Sequence, residues 1–184
     1  MKKLFLLSII PALLVVGCAK DPGKPLPPPS PESYTVVLTP TNSMLTSADS
    51  TEEITVSLKA QEDESITYDV KIGFPCYLKQ VQGTNYQEII MKNGAYFKSA
   101  STYKVSRILC DIYGGKGVNY TVHNTEDGSG DPLEYHESTV TPTYPEDSGF
   151  VYEYEVEANG WSIRNSTMNK PAFYSVTIVF EVEK

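Results

Sequence analysis

The chain has 184 residues, of which 40% are hydrophobic, 21% charged and 11% aromatic. That balance fits a packed globular domain and excludes a disordered tail or a coiled coil. Acidic residues outnumber basic ones 23 to 15, which makes the chain a poor ligand for polyanions and argues against nucleic acid as a partner.

Residues 1–18 read MKKLFLLSIIPALLVVGC. Lys2 and Lys3 form a short positive segment, and Leu4 to Val16 form an apolar stretch broken only by Ser8 and Pro11. The stretch is shorter than the roughly 20 residues a spanning helix needs and suits a secretory signal. It closes on Val15-Val16-Gly17-Cys18, which resembles the lipobox of bacterial lipoproteins. The resemblance implies cleavage after residue 17, diacylglycerol on the Cys18 thiol and an acyl chain on its new amine. Several chains on one residue anchor stably where a single chain binds only marginally. Loss of Lys2 and Lys3 takes the net charge from −8 to −10. Anionic lipid repels such a surface, so the membrane contact rests on the lipid at Cys18. Ala19 stands where an Asp would favour inner-membrane retention in enterobacterial lipoproteins, which implies the outer membrane. Lys20-Asp21 resembles the export signal of Bacteroidota surface lipoproteins and tips the orientation toward the cell surface rather than the periplasmic face.

The next segment, KDPGKPLPPPSP (20–31), holds six prolines in twelve residues. Proline fixes φ and donates no hydrogen bond, so polyproline II is expected. At roughly 3.1 Å per residue, residues 18–33 reach about 45 Å as a semi-rigid tether. The remainder, 34–184, is long enough for one ordinary core.

Hydrophobicity in that remainder has period two. Ile54, Val56 and Leu58 alternate with polar residues, as do Tyr68, Val70 and Ile72. Tyr152, Tyr154 and Val156 repeat the pattern, and Tyr174, Val176, Ile178, Phe180 and Val182 close the chain with it. Each is the signature of a half-buried antiparallel strand. Residues 102–113 (TYKVSRILCDIY) are apolar on both faces, which predicts a central strand. Gly114 to Gly117, Asn159-Gly160 and Asn93-Gly94 read as hairpin turns. Eight or nine short strands and no helical period predict an all-β antiparallel two-sheet sandwich, immunoglobulin-like, with a lipocalin-like barrel as the alternative.

Two thiols remain after lipidation, Cys76 and Cys110. Outside the cytoplasm such a pair reads either as a disulfide, closing a loop worth about 3–4 kcal/mol, or as two buried free thiols. The only Trp, Trp161, lies outside the pair, so the antibody pattern is not met. Asp49-Ser50-Thr51 resembles the acceptor triplet of Bacteroidota O-glycosylation, which would place a glycan on Ser50. Residues 123–137 (HNTEDGSGDPLEYHE) gather Glu126, Asp127, Asp131, Glu134 and Glu137 with His123 and His136. The calcium-loop spacing fails there, as does any transition-metal spacing, so a solvated acidic loop with no metal is expected.

Gly128-Ser129-Gly130 is not a nucleophile elbow, and Gly114 to Gly117 is not a phosphate loop. Glu153 and Glu155 alternate with core residues as a solvent face does. Neither an enzyme nor a cofactor is expected. All thirteen tyrosines lie in the mature domain, mostly as strand packing, while Tyr135, Tyr144 and Trp161 sit near loops where a ligand would stack. The expected function is a lipid-anchored, non-catalytic envelope module binding a glycan or protein ligand. The alternative is an accessory subunit of an outer-membrane assembly, fimbrial or nutrient-uptake.

Overall fold

The computed structural model describes residues 31–113, 118–143 and 149–183. The signal segment, Cys18, most of the tether, the Gly114 to Gly117 turn and Tyr144 lie outside the described residues. The strands follow in order: β1 (Glu32–Leu38), β2 (Ile54–Lys59), β3 (Thr67–Gly73), β4 (Cys76–Gln80), β5 (Gln87–Met91), β6 (Tyr96–Ser99), β7 (Lys104–Tyr113), β8 (Thr121–His123), β9 (His136–Glu137), β10 (Gly149–Ala158), β11 (Ser162–Arg164) and β12 (Ala172–Val182). β1 starts at Glu32, so the sheet takes in two residues read from the sequence as tether.

The strands form two antiparallel sheets and do not close into a barrel. The large sheet runs β4-β5-β12-β7-β10-β9, with β1 also paired to β12, and the small sheet runs β2-β3-β6-β11-β8. β7 lies between β12 and β10, the central place its apolar sequence predicts. The inward rows make one core: Val36, Ile108, Tyr154, Val176, Ile178 and Phe180 from the large sheet meet Val56, Tyr68, Ile72, Phe97 and Ile163 from the small one. Phe180 anchors an aromatic cluster, with ring centroids 4.9 Å from Tyr68 and 5.1 Å from Tyr103. Trp161 is fully buried here, not at a loop surface. Its Nε1 donates to the Tyr68 hydroxyl at 2.9 Å, and that hydroxyl meets Ser99 Oγ at 2.9 Å, so the polar atoms of these three side chains are partnered inside the core.

The hairpin readings need correction. β7 and β8 flank Gly114 to Gly117 but belong to different sheets. The same holds for β10 and β11 around Asn159-Gly160, and for β5 and β6 around Asn93-Gly94. Gly94 does adopt the left-handed conformation of a tight turn, φ 89°, yet the turn carries the chain across the sandwich. The consecutive strands that pair with each other are β2–β3, β4–β5 and β9–β10.

Topology also answers the cysteine question. Both thiols are free and buried. Cys76 is on β4 and Cys110 on β7, with β5 and β12 between them. Three strand spacings of about 4.8 Å separate them by about 14 Å, twice the Cα limit of a disulfide. The expected bridge does not form. Cys76 Sγ instead donates to the Gly73 carbonyl at 3.2 Å. Burial pushes both thiols up to about 12, so neither supplies thiolate at neutral pH. Titration of the unfolded, non-reduced mature chain should find two free thiols. The folded chain should resist a thiol reagent, and reduction should leave its Tm unchanged. A bridge would show as no free thiol and a Tm lower by several degrees on reduction.

Candidate ligand-binding site

The site begins with one irregularity in β12. Phe173 pairs with Ile112, but Ser175 pairs with Asp111, so Tyr174 is an extra residue on that strand. A bulge of this kind re-aims side chains. Phe173 and Val176 both stay in the core, while Tyr174 and Ser175 both leave it and face outward. Tyr174 does not join the Val176 row that simple alternation assigns to it. It is nonetheless buried, its ring 6.3 Å from that of Tyr113 and its hydroxyl donating to Glu88 Oε1 at 3.0 Å.

Register then sets the outer face of the large sheet. Val151, Asp111 and Ser175 lie in one row across β10, β7 and β12; Glu153, Leu109 and Thr177 lie in the next. A strap from the β9–β10 connection crosses these rows. Its first pin is Ser138, whose N–H donates to the Val151 carbonyl at 2.8 Å and whose hydroxyl donates to Glu153 Oε2 at 3.1 Å. Its second pin is Thr143, whose N–H donates to Asp111 Oδ2 at 2.7 Å. Val140, midway, is 53% exposed.

Between strap and sheet lies a cavity of about 190 Å³, lined by Asp111, Ser175, Thr177 and Leu109 from the sheet and by Val140, Thr141 and Thr143 from the strap. Asp111 is only 5% exposed, and its Oδ1 is buried without a hydrogen-bond partner. Burial raises its carboxyl above the ordinary range, and the hydrogen bonding from Thr143 opposes that shift. Oδ2 fastens the strap, and Oδ1 stays buried with no hydrogen-bond partner. A hollow of about 290 Å³ adjoins on the β10 side, sharing Val140, Thr141 and Val151 and adding Phe150. Another of about 350 Å³ adjoins on the β1 and β5 side, sharing Thr143 and Ser175 and adding Tyr86 and Tyr174.

The residues singled out from sequence lie elsewhere. Ser50 is half-buried; its N–H donates to the Cys76 carbonyl at 2.9 Å and its hydroxyl accepts from the Cys76 N–H at 3.2 Å. The acidic loop does not converge: among the described residues no three His, Cys, Asp or Glu side chains are placed to hold a metal ion. Asp127 accepts from the Ser129 N–H, and His123 is buried with Nε2 3.0 Å from Thr121 Oγ1. His136 sits 3.7 Å from Glu153. Tyr135 remains half exposed, edge-on to Tyr152 with centroids 4.9 Å apart. Asp111 and the strap escaped the sequence reading, although a charged residue inside ILCDIY was the available signal.

No protein-family model matches the chain, and comparison with curated proteins and with solved structures finds no match either.

The buried carboxyl has a signed consequence. An acid whose folded pKa is raised holds its proton in the folded chain after the unfolded chain has lost it, so stability falls as pH climbs through that interval. Asp111→Asn keeps an oxygen for Thr143 and removes the titration. The Tm of the variant minus that of the wild type should therefore grow more positive as pH rises from about 3 to 7. A difference that stays flat, or shrinks, would contradict the burial of a titrating group here.

Proposed function

We propose that the protein is a lipid-anchored, non-catalytic binding module of a bacterial cell envelope, held on the outer membrane by acyl chains on Cys18 and presenting its sandwich on the proline-rich tether. The observation that carries this reading is Val15-Val16-Gly17-Cys18 at the end of the apolar leader. The tether supports it, because six prolines between lipid and domain space the domain from the surface. The excess of acid supports it too, since a domain of this charge gains nothing from anionic lipid directly.

The cavity under the strap supplies the binding face. It gathers one carboxylate with hydroxyl and aliphatic side chains. Such a set orients and holds a ligand; nucleophilic catalysis needs an adjacent base, and acid–base chemistry needs paired groups of split pKa. The position of the cavity on the outward face of one sheet suits recognition of a partner met from outside. Surface display, rather than the periplasmic face, is the orientation proposed, on Lys20-Asp21.

Mass spectrometry of the mature N-terminus tests the anchor. The wild type should begin at an acylated Cys18, and Cys18→Ala should remain unacylated with residues 1–17 still attached. A mature wild-type chain that begins elsewhere and carries no lipid would overturn the lipoprotein reading.

A further inference from the structure

We infer that the free edge of β2 pairs with β2 of a second copy of this chain, antiparallel about a two-fold axis at Val56, so that the small sheets of two copies become one. Pairing of this kind uses neither the lipid anchor nor the cavity under the strap.

The starting point is which backbone groups β2 leaves over. The Ala60 N–H donates to the Ile66 carbonyl at 2.9 Å, and that pair continues the β2–β3 register. Hydrogen-bonded pairs alternate along an antiparallel ladder, so Ile54, Val56 and Leu58 bond to β3. The N–H and C=O groups of Thr55, Ser57 and Lys59 point the other way. β2 is the last strand of its sheet, and among the described residues no hydrogen bond reaches those groups from outside. All three residues are exposed.

The other edges are covered. On β1, the Gln61 N–H donates to the Thr35 carbonyl at 2.8 Å, and Glu62 accepts from the Thr35 N–H at 2.7 Å. On β4, the Thr46 carbonyl accepts from the Leu78 N–H at 2.6 Å. On β8, the Leu133 N–H donates to the Val122 carbonyl at 2.7 Å. β10 carries β9, and beyond it the strand is irregular between Glu155 and Ala158. Folded chains blunt their edges in such ways because a bare edge invites another strand. β2 has no such device and keeps a regular register along its whole length.

The tether cannot fill the gap, because its six prolines supply no N–H. A second copy fits in one register. With Val56 opposite Val56 of the second copy, Thr55 faces Ser57 and Lys59 faces Glu53, each twice by symmetry. Opposite charges and Ser–Thr pairs are favourable cross-strand neighbours. On the inner face half-buried Ile54 meets Leu58. Placing Ser57 opposite Ser57 instead sets Lys59 against Thr55 and loses both charge pairs. Glu53 is held beside the edge: its carboxylate accepts from the Tyr96 hydroxyl at 2.5 Å and lies 3.3 Å from Lys71 and 3.5 Å from Lys98. Lys59 has only exposed Glu64, 3.4 Å away, a pair worth little. An edge lysine ordinarily deters pairing; here it has a carboxylate to meet. β1 enters beyond the Lys59 end of β2, where Gln61 meets Thr35, so antiparallel pairing sends the two tethers out at opposite ends.

The first test is register-specific. Thr55→Cys and Ser57→Cys are produced together in one cell and singly in others, and intact cells are oxidised with copper phenanthroline. Facing residues of a hydrogen-bonded pair have Cα atoms about 5.5 Å apart, within disulfide range. The mixture should give a disulfide-linked dimer on a non-reducing gel, and either variant alone, or the wild type, should not. Sedimentation of the mature chain in detergent then gives its mass. The wild type should run as two copies and Ser57→Pro as one. Proline is tolerated on an edge strand where the missing N–H faces outward, so circular dichroism and Tm should match the wild type. Lys59→Glu sets like charges opposite each other and should weaken pairing about tenfold with the fold intact. A wild type that sediments as one copy at every concentration would overturn the inference. So would a dimer that both Ser57→Pro and Lys59→Glu leave intact, or a cross-link from Ser57→Cys alone as strong as that from the mixture.

Discussion

β12 is the strand on which the large sheet hangs, and a single extra residue in it decides what each face presents. It pairs with β7 along one edge and with β1 and β5, end to end, along the other. Val176, Ile178 and Phe180 are fully buried, and burial of such side chains is worth about 1.5–3 kcal/mol each. That fixes the phase of the C-terminal part of the strand. Phe173, also fully buried, fixes the opposite phase at its start. Tyr174 reconciles the two. Without it, a one-residue slip would turn every side chain on one side of the bulge to the other face.

Everything on the outer face follows from that adjustment. Ser175 comes level with Asp111, Tyr174 reaches Glu88, and a stretch of sheet that would otherwise be apolar or wet becomes buried and polar. A carboxylate in such a place is unfavourable unless hydrogen-bonded. The strap meets half of that need through Thr143 and leaves the other half open. The carboxylate and the strap thus depend on each other: removal of the strap exposes Asp111, and removal of the carboxylate releases one end of the strap. The second end, on Ser138, is fastened to the backbone and side chains of β10 rather than to the cavity.

How much of this was legible in the sequence depends on the range of the interaction involved. β2, β3, β10 and β12 each bury alternate residues over six positions or more, and period two exposes them directly. β8 and β11, three residues each, are marked in the sequence only by the glycine turns that precede them, and β9, two residues long, exists through its partner with no local pattern to announce it. The glycine turns misled for a related reason. Asn159-Gly160 specifies a reversal of the chain, but which sheet Ser162 then joins depends on where Trp161 and Ile163 find a core. The cysteine pairing failed on lateral order: compartment argues for oxidation, and only the placement of β5 and β12 between Cys76 and Cys110 forbids it. Asp111 is a charge in an apolar strand and was passed over, because its meaning requires both a register with Ser175 and a strap from 32 residues away.

The central claim is that the strap face of the large sheet is where the domain meets its ligand. Photocrosslinking in native membranes tests it most directly, with a benzophenone amino acid placed at position 140 in the strap or, as the comparison, at position 59 on the small sheet. The account predicts adducts to molecules other than the chain itself from position 140 and none from position 59. Equal labelling of such molecules from both positions, or such adducts from position 59 alone, would contradict it.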